Sequence, residues 1–317
     1  TISVVTPCYN EEENIYDVYH AIKEIRKIHH QYQWEHIFID NSSTDNTLIL
    51  LKEIAEDDKS VKIIVNIKNF GHITSPYHGY LSSTGDAMVV FLCDLQDPPE
   101  LISEFIRNWE LGYKVVVGVK NKSDENPLMF FLRKIFYSII QNISETDLIQ
   151  NFTGFGLYDK SFLNIIRKLE DPYPYFRGLV AEYGQNRLEI PYTQRKRKKG
   201  KSKNNLYSLF DSAMLGFVNH SKIPLRLATF IGFVVSILSL LVGAAYLIFK
   251  LMYFDRYEAG IAPLVIGLFF FGAVQLFFIG IIGEYIGSIH TQVLKRPLVI
   301  EKERINFGPE LSDDDNS

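Results

Sequence analysis

A chain of 317 residues, 47% hydrophobic and with a net charge of −4, has room for two domains or for one domain with appendages, and its overall charge points to no particular partner. Its two cysteines, Cys8 and Cys93, fall in or beside apolar strand-like runs, which excludes a disulfide framework and fits reduced thiols in a cytosolic compartment. Two uncharged runs, Leu227 to Phe249 and Gly260 to Gly283, hold 23 and 24 residues. Each meets the ~20 apolar residues that a membrane span needs, so a wholly soluble chain is excluded as well.

In chain order, Ile2 to Thr6 reads as a short buried strand broken by Pro7, with a helix opening at Glu11 behind Asn10 as its cap. Ile15, Val18, Ile22, Ile25 and Ile28 give that helix one apolar face. Trp34 to Ile39 is a second strand, and the polar cluster from Asp40 to Asp45 leads into a helix from Thr47 to Ala55. Val61 to Val65 is a third strand, followed by Asn69-Phe70-Gly71 and a helix to about Ser83. The fourth strand runs from Ala87 to Cys93 and ends in Asp94, Gln96 and Asp97 before two prolines. Strand and helix alternate four times, which predicts an α/β domain with a mostly parallel sheet. Tyr9, Glu11, Asp40, Asn69 and Asp94 then gather at the carboxyl edge of that sheet, where such folds place ligands. Hard oxygen donors at Asp94 and Gln96 suit Mg2+ or Mn2+ carrying phosphates. The same stretch also reads as a solvated turn that caps the next helix. No glycine-rich dinucleotide fingerprint and no P-loop occurs near these strands.

Leu101 to Leu111 is read as a helix and Val115 to Val119 as a fifth strand. Pro127 to Ile143 is an amphipathic helix carrying Arg133 and Lys134, read as lying against a membrane surface; an ordinary core helix fits the pattern too. Gly154 and Gly156 among aromatics suggest close backbone approach. From Arg195 to Lys203 seven of nine residues are basic, and Leu206, Leu209, Phe210, Ala213, Met214 and Phe217 follow at helical spacing. A cationic leader to an amphipathic helix just before a span reads as an interfacial element, not a nucleic-acid site. Lys222 and Arg226 before the first span, and Lys295, Arg296 and Lys302 after the second, put both ends and the α/β domain in the cytoplasm of an inner or plasma membrane protein. The expected organisation is a catalytic domain at 1–203, a juxtamembrane amphipathic helix at 204–224, spans at 225–254 and 260–284, and a cytosolic tail at 285–317. Glu284 closes the second span near the surface.

These residues resemble a known family, the inverting glycosyltransferases of the GT-A fold that act on polyprenyl phosphates, among them the dolichyl-phosphate mannose synthases and the bactoprenol glucosyltransferases. The resemblance rests on TPCYNEE at 6–12, IDNSSTDNT at 39–47, NFG at 69–71, STGD at 83–86, DLQDPPE at 94–100, FGLYDK at 155–160, RKKGKSK at 197–203, and GEY and KRP at 283–285 and 295–297. Two spans favour the bactoprenol branch. The resemblance implies that Pro7, Tyr9, Glu11 and Asp40 hold the nucleotide and that Asp94 and Gln96 hold a divalent metal on the donor diphosphate. It further implies that Arg133, Arg197, Lys201 and Ser202 bind phosphate from donor or lipid. Donor and acceptor become a nucleotide-sugar, UDP-glucose by resemblance with GDP-mannose and UDP-N-acetylglucosamine as alternatives, and undecaprenyl phosphate. A homo-oligomer, a tetramer by resemblance, is expected, with Gly267, Gly272 and Gly280 available for helix contacts.

The chain departs from the family at Leu92, where relatives often carry a first metal-binding Asp, at Asn41, where many carry Asp, and at Gly154 to Leu157, where many carry a carboxylate and an arginine. No catalytic base is therefore carried over, and a phosphate monoester with a second pKa of about 6 needs none. Should a base operate, Asp97 and Glu182 are the candidates. A membrane-anchored binding or scaffolding protein without catalysis is the reading from another class.

Overall fold

The computed structural model describes residues 1–122, 149–172, 174–195, 223–252, 261–294 and 296–308. The expected amphipathic helices at 127–143 and 204–224 lie outside the described residues, or nearly so.

Four strands form the parallel centre: β1 (Ile2–Cys8), β2 (Trp34–Asp40), β3 (Val61–Asn66) and β4 (Ala87–Val90). They pair in the order β4-β1-β2-β3. Between them run α1 (Ile15–Ile28), α2 (Thr47–Asp57) and α3 (Gly71–Leu81). Ile15, Val18, Ile22 and Ile25 are buried as their spacing requires, whereas Ile28 at the helix end is 63% exposed. The helix α4 (Leu101–Glu110) leads to β5 (Val115–Lys122). The chain then forms β6 (Phe152–Asp159), α5 (Lys160–Lys168), α6 (Phe176–Tyr183) and β7 (Arg187–Thr193). Two long helices follow, α7 (Ile223–Met252) and α8 (Ile261–Leu294), and a last strand, β8 (Glu301–Ile305).

The full sheet has eight strands in the order β7-β5-β6-β4-β1-β2-β3-β8. It is mixed, because β6 runs antiparallel to both β4 and β5, and β8 antiparallel to β3. Two apolar layers cover its faces, one built on α1, α2 and α4 and the other on α3, α5 and α6. Gly156 is the reason β6 fits between its neighbours: a Cβ there would stand 2.7 Å from the Val116 carbonyl oxygen. The close approach expected at Gly156 is thus to the next strand and not to a ligand.

Several sequence expectations need correction. Pro7 does not end β1, which continues to Cys8 opposite Asp40. The Val5 carbonyl accepts from the Phe91 amide, while the Cys8 carbonyl accepts from Asn41 on the other side. Alternation therefore points Pro7 toward β4, which has left the ladder by then, so no strand bond is lost. The first helix begins at Ile15, not Glu11, because Asn10 is engaged elsewhere. The residues after the second long helix are not a free tail. They return as β8, which covers the edge of β3 from Ile63 opposite Ile305 to Asn66 opposite Glu301. Lys52 donates to Glu303 at 2.7 Å, and His78 meets Glu301 at 2.5 Å. Burial works to raise the Glu301 carboxyl, and the hydrogen bonds from Arg304 and His78 overcome it, holding it at about 2.

The helix α8 runs ten residues past Glu284, to Leu294. Among the described residues the one helix segment long and apolar enough to cross a membrane is Phe270–Leu294, with Thr229–Ser239 in α7 a shorter apolar stretch.

His36 is a buried strand residue whose Nε2 shares a 3.0 Å hydrogen bond with the Thr6 hydroxyl and whose ring lies 4.0 Å from Phe38. Burial pushes its imidazole down to about 3, and the charge of Arg26 adds to the shift. The unfolded chain thus takes up this proton near the ordinary value of 6.5 and the folded chain does not. Its stabilising contribution is complete above pH 6.5 and is lost as the pH falls toward 3, at a limiting rate of about 1.4 kcal/mol per pH unit. Thermal melts of the solubilised protein should fall steadily between pH 6.5 and 4.5, and His36→Leu should flatten that fall. An identical slope in the variant would remove His36 from the acid response.

Candidate active site

The carboxyl ends of β1, β2, β4, β5 and β7 and the start of β6 share one edge of the sheet. The loops there are tied to one another. Asn10, in a left-handed conformation at φ 53°, donates its amide nitrogen to the Ser43 hydroxyl at 2.9 Å and accepts from the Thr44 amide at 2.7 Å. The Glu11 amide donates to the Thr47 hydroxyl at 2.8 Å, and the Glu11 carboxylate accepts from Asn14 at 2.6 Å. The loop after β1 is thus fastened to the loop after β2. Asp40 lies at the base of the join, buried, accepting from the Ser43 amide at 3.2 Å. Burial raises its carboxyl above the usual range, and the Ser43 contacts resist that. Pro7 and Tyr9 stand half-buried beside it.

Asn41 carries a second join. Its side-chain nitrogen donates to Asn69 Oδ1 at 2.9 Å and to the Gly71 carbonyl at 3.0 Å. Its Oδ1 accepts from Asn66 Nδ2 at 3.1 Å and from the Phe70 amide at 2.9 Å. A buried group giving two hydrogen bonds and taking two has to be an amide; a carboxylate cannot donate. The departure from the family at this position follows from its partners.

The third loop follows β4. Its strand stops at Val90, three residues short of the expected Cys93, though Phe91 and Cys93 stay buried. Asp94 is half-buried and its Oδ1 accepts from the Gln96 amide at 3.2 Å, with Leu95 between them at φ 51°. Asp97 points into the protein and is 1% exposed. Its Oδ1 takes a short hydrogen bond from the Tyr192 hydroxyl, and its Oδ2 is buried without a partner among the described residues. Burial pushes the Asp97 carboxyl up to about 6, against the Tyr192 hydroxyl and the charge of Lys120, which hold it down.

Three residues of this site were not singled out in the sequence, Lys120, Tyr192 and Gln194, and Arg195 was read only as the start of the basic run. Lys120 ends β5 and donates to Gln194 Oε1 at 2.8 Å. Tyr192 sits on β7, where inward Ile190 and Tyr192 alternate with exposed Pro191 and Thr193; that period of two was the available signal. Gly118 makes room for its ring, since a Cβ there would meet the ring at 3.0 Å. Arg195, the first residue of the basic run, is joined to the metal-type motif through the backbone. Its amide donates to the Gln96 carbonyl at 2.9 Å, and Gln96 Nε2 donates to the Arg195 carbonyl at 3.4 Å.

Pro7, Tyr9, Glu11, Asp40, Asp94, Gln96 and Asp97 therefore share one edge. Glu182 does not join them: it is exposed on α6 and lines a cavity beside the end of α8. Arg133, Arg197, Lys201 and Ser202 lie outside the described residues. Among the described residues no three His, Cys, Asp or Glu side chains form a closed metal cage. Asp94 and Gln96 fit an open site, in which one carboxylate and one amide oxygen leave most positions to waters and phosphate oxygens.

The family model "Glycosyl transferase family 2" matches residues 3–171, which includes every strand-end motif of this edge up to β6. The chain belongs to glycosyl transferase family 2. The SfII prophage-derived bactoprenol glucosyl transferase of Shigella flexneri is 31% identical over 309 residues, covering 97% of this chain and 99% of that protein. An uncharacterized glycosyltransferase of Synechocystis sp. is 32% identical over 303 residues, with 94% of each covered. Among solved structures, the mannosyltransferase PcManGT of Pyrobaculum calidifontis, in complex with GDP-Man and Mn2+, is 14% identical over 93% of this chain and 86% of that one, at a TM-score of 0.44. This glycosyltransferase is accordingly an enzyme, and its α/β sheet is mixed and mostly parallel.

Proposed function

We propose that this family 2 enzyme transfers a sugar from a nucleotide-sugar to a polyprenyl phosphate at the cytoplasmic face of a membrane, with inversion at the anomeric carbon. The observation that carries the reading is the pairing of Gln96 with the Arg195 backbone, because it starts the basic run directly beside the motif suited to the donor diphosphate. The names of relatives such as the Shigella flexneri protein, matched over nearly their whole length, support a polyprenyl acceptor and favour glucose, hence UDP-glucose. Apolar side chains exposed along both long helices, among them Phe230, Leu241 and Val242 on α7 and Leu268 and Phe277 on α8, support two spans.

Asp94 and Gln96 would hold Mg2+ or Mn2+, which supplies positive charge to the leaving diphosphate. Pro7, Tyr9, Glu11 and Asp40 border the nucleotide side of the edge. The chemistry asks mainly for charge compensation: each pair of unit negative charges about 4 Å apart on donor diphosphate and acceptor phosphate repels by about 4 kcal/mol at an effective dielectric of 20. Lys120, Arg195 and the basic run containing Arg197 and Lys201 offset that repulsion. The acceptor is already largely dianionic at neutral pH, so no side chain has to remove a proton. Asp97, bonded to Tyr192, then serves as a brace between the β4 loop and β7.

The test is a panel of radiolabelled nucleotide-sugars offered to the full chain in detergent with undecaprenyl phosphate, scored for chloroform-soluble label. UDP-glucose should give product. Absence of product from every donor would overturn the reading in favour of a binding protein.

A further inference from the structure

Where the end of α8 meets α3, α5 and α6 there is a cavity of about 710 Å3. Leu81, Leu169, Leu179 and Leu298 give it apolar walls, and Gln292, two residues before the end of α8, brings it level with the end of the candidate membrane segment. Glu170 and Arg296 line the same space. Neither makes a hydrogen bond or ion pair among the described residues, and they do not pair with each other. Their carboxylate neighbours are engaged: Glu182 with the Tyr183 hydroxyl, and Asp171 close to that of Tyr77. Glu170 is also held at φ 46°, a left-handed conformation that costs a non-glycine residue energy and that clusters at functional positions.

Opposite charges left apart at the exposed rim of one cavity, above its leucine walls, fit a ligand that itself carries both charges. We propose that this cavity binds the headgroup of a phospholipid with a primary amine, phosphatidylethanolamine, with Arg296 on its phosphate and Glu170 on its ammonium. A quaternary choline has no N–H to donate to Glu170, and a glycerol headgroup brings no cation. The lipid source follows from the position beside α8, so the proposal rests on the membrane reading of that helix and goes beyond the sugar-transfer reaction.

Native mass spectrometry of the full chain in mild detergent, given equal amounts of phosphatidylethanolamine, phosphatidylcholine and phosphatidylglycerol with matched acyl chains, tests it. Ethanolamine lipid should be retained about fivefold over either competitor, the ratio that one net hydrogen bond supports. Glu170→Leu should bring the ratio near one, and Arg296→Gln should lower retention of all three lipids alike, both leaving nucleotide binding and the melting temperature unchanged. Equal retention of the three lipids by the parent, or an unchanged ratio in Glu170→Leu, would overturn the proposal. Flotation with phosphatidylglycerol vesicles reports on the membrane reading by itself. A protein that floats without headgroup preference sinks this proposal alone, and one that does not float sinks both.

Discussion

Replacing Asp94 with alanine should cut sugar transfer by about 10²–10³-fold, the loss seen when one preorganised group that stabilises developing charge is removed. Its carboxylate is half-buried, lies past the end of β4, and has the Gln96 amide as its local donor. With Leu92 in place of a first aspartate, Asp94 brings the only carboxylate of the pair proposed to hold the metal. The fold should survive, since the strand above is buried through Val90 and Phe91 independently of Asp94. The measurement is initial rate with saturating donor, alongside a thermal melt and a titration of divalent cation. Full activity in Asp94→Ala, or activity in excess chelator equal to that with metal, would remove the metal role.

A second large effect is expected from Asn41→Asp, the change that brings this position back to the residue many relatives carry. The carboxylate would face Asn69 Oδ1 and the Gly71 carbonyl, oxygens to which Asn41 now donates. Two donated hydrogen bonds are lost and a charge is buried at a residue 7% exposed. The expected cost is about 3 kcal/mol, a fall in melting temperature of roughly 6–12 °C for a domain of this size. Donor KM should rise with it, because the same side chain holds the Asn69–Gly71 turn against the loop of Asp40. A variant as stable as the parent, with unchanged KM, would show that Asn41 positions nothing.

The parallel centre of the fold was legible because β1 to β4 are short, β-branched and separated by helices with clear periodicity. The gathering of polar residues at one edge was legible for the same reason, since polar residues that follow buried strands have one place to go. What could not be read was long-range pairing. The glycines at 154 and 156 suggested close backbone approach without saying to what, and the answer at Gly156 is a strand squeezed between two antiparallel neighbours. The role of Tyr192 depends on contact with a residue 95 positions away, and β8 depends on a partner strand far earlier in the chain. Asn10 was misread as a helix cap because its preferences for capping and for cross-linking loops are chemically the same. Glu182 was named beside Asp97 as a candidate base, and α6 carries it to a cavity beside the end of α8.

The outermost strands of the sheet are β7 and β8, and both long helices lie between them in the chain. A ribosome therefore releases the last piece of the enzymatic half only after α7 and α8 have been made. Cutting the gene before residue 223, the obvious way to obtain a water-soluble fragment, would strip β3 of its neighbour and leave a bare hydrogen-bonding rim open to other chains. The short leash of residues 295–300, at most about 20 Å when stretched, also keeps that rim close to wherever α8 comes to an end.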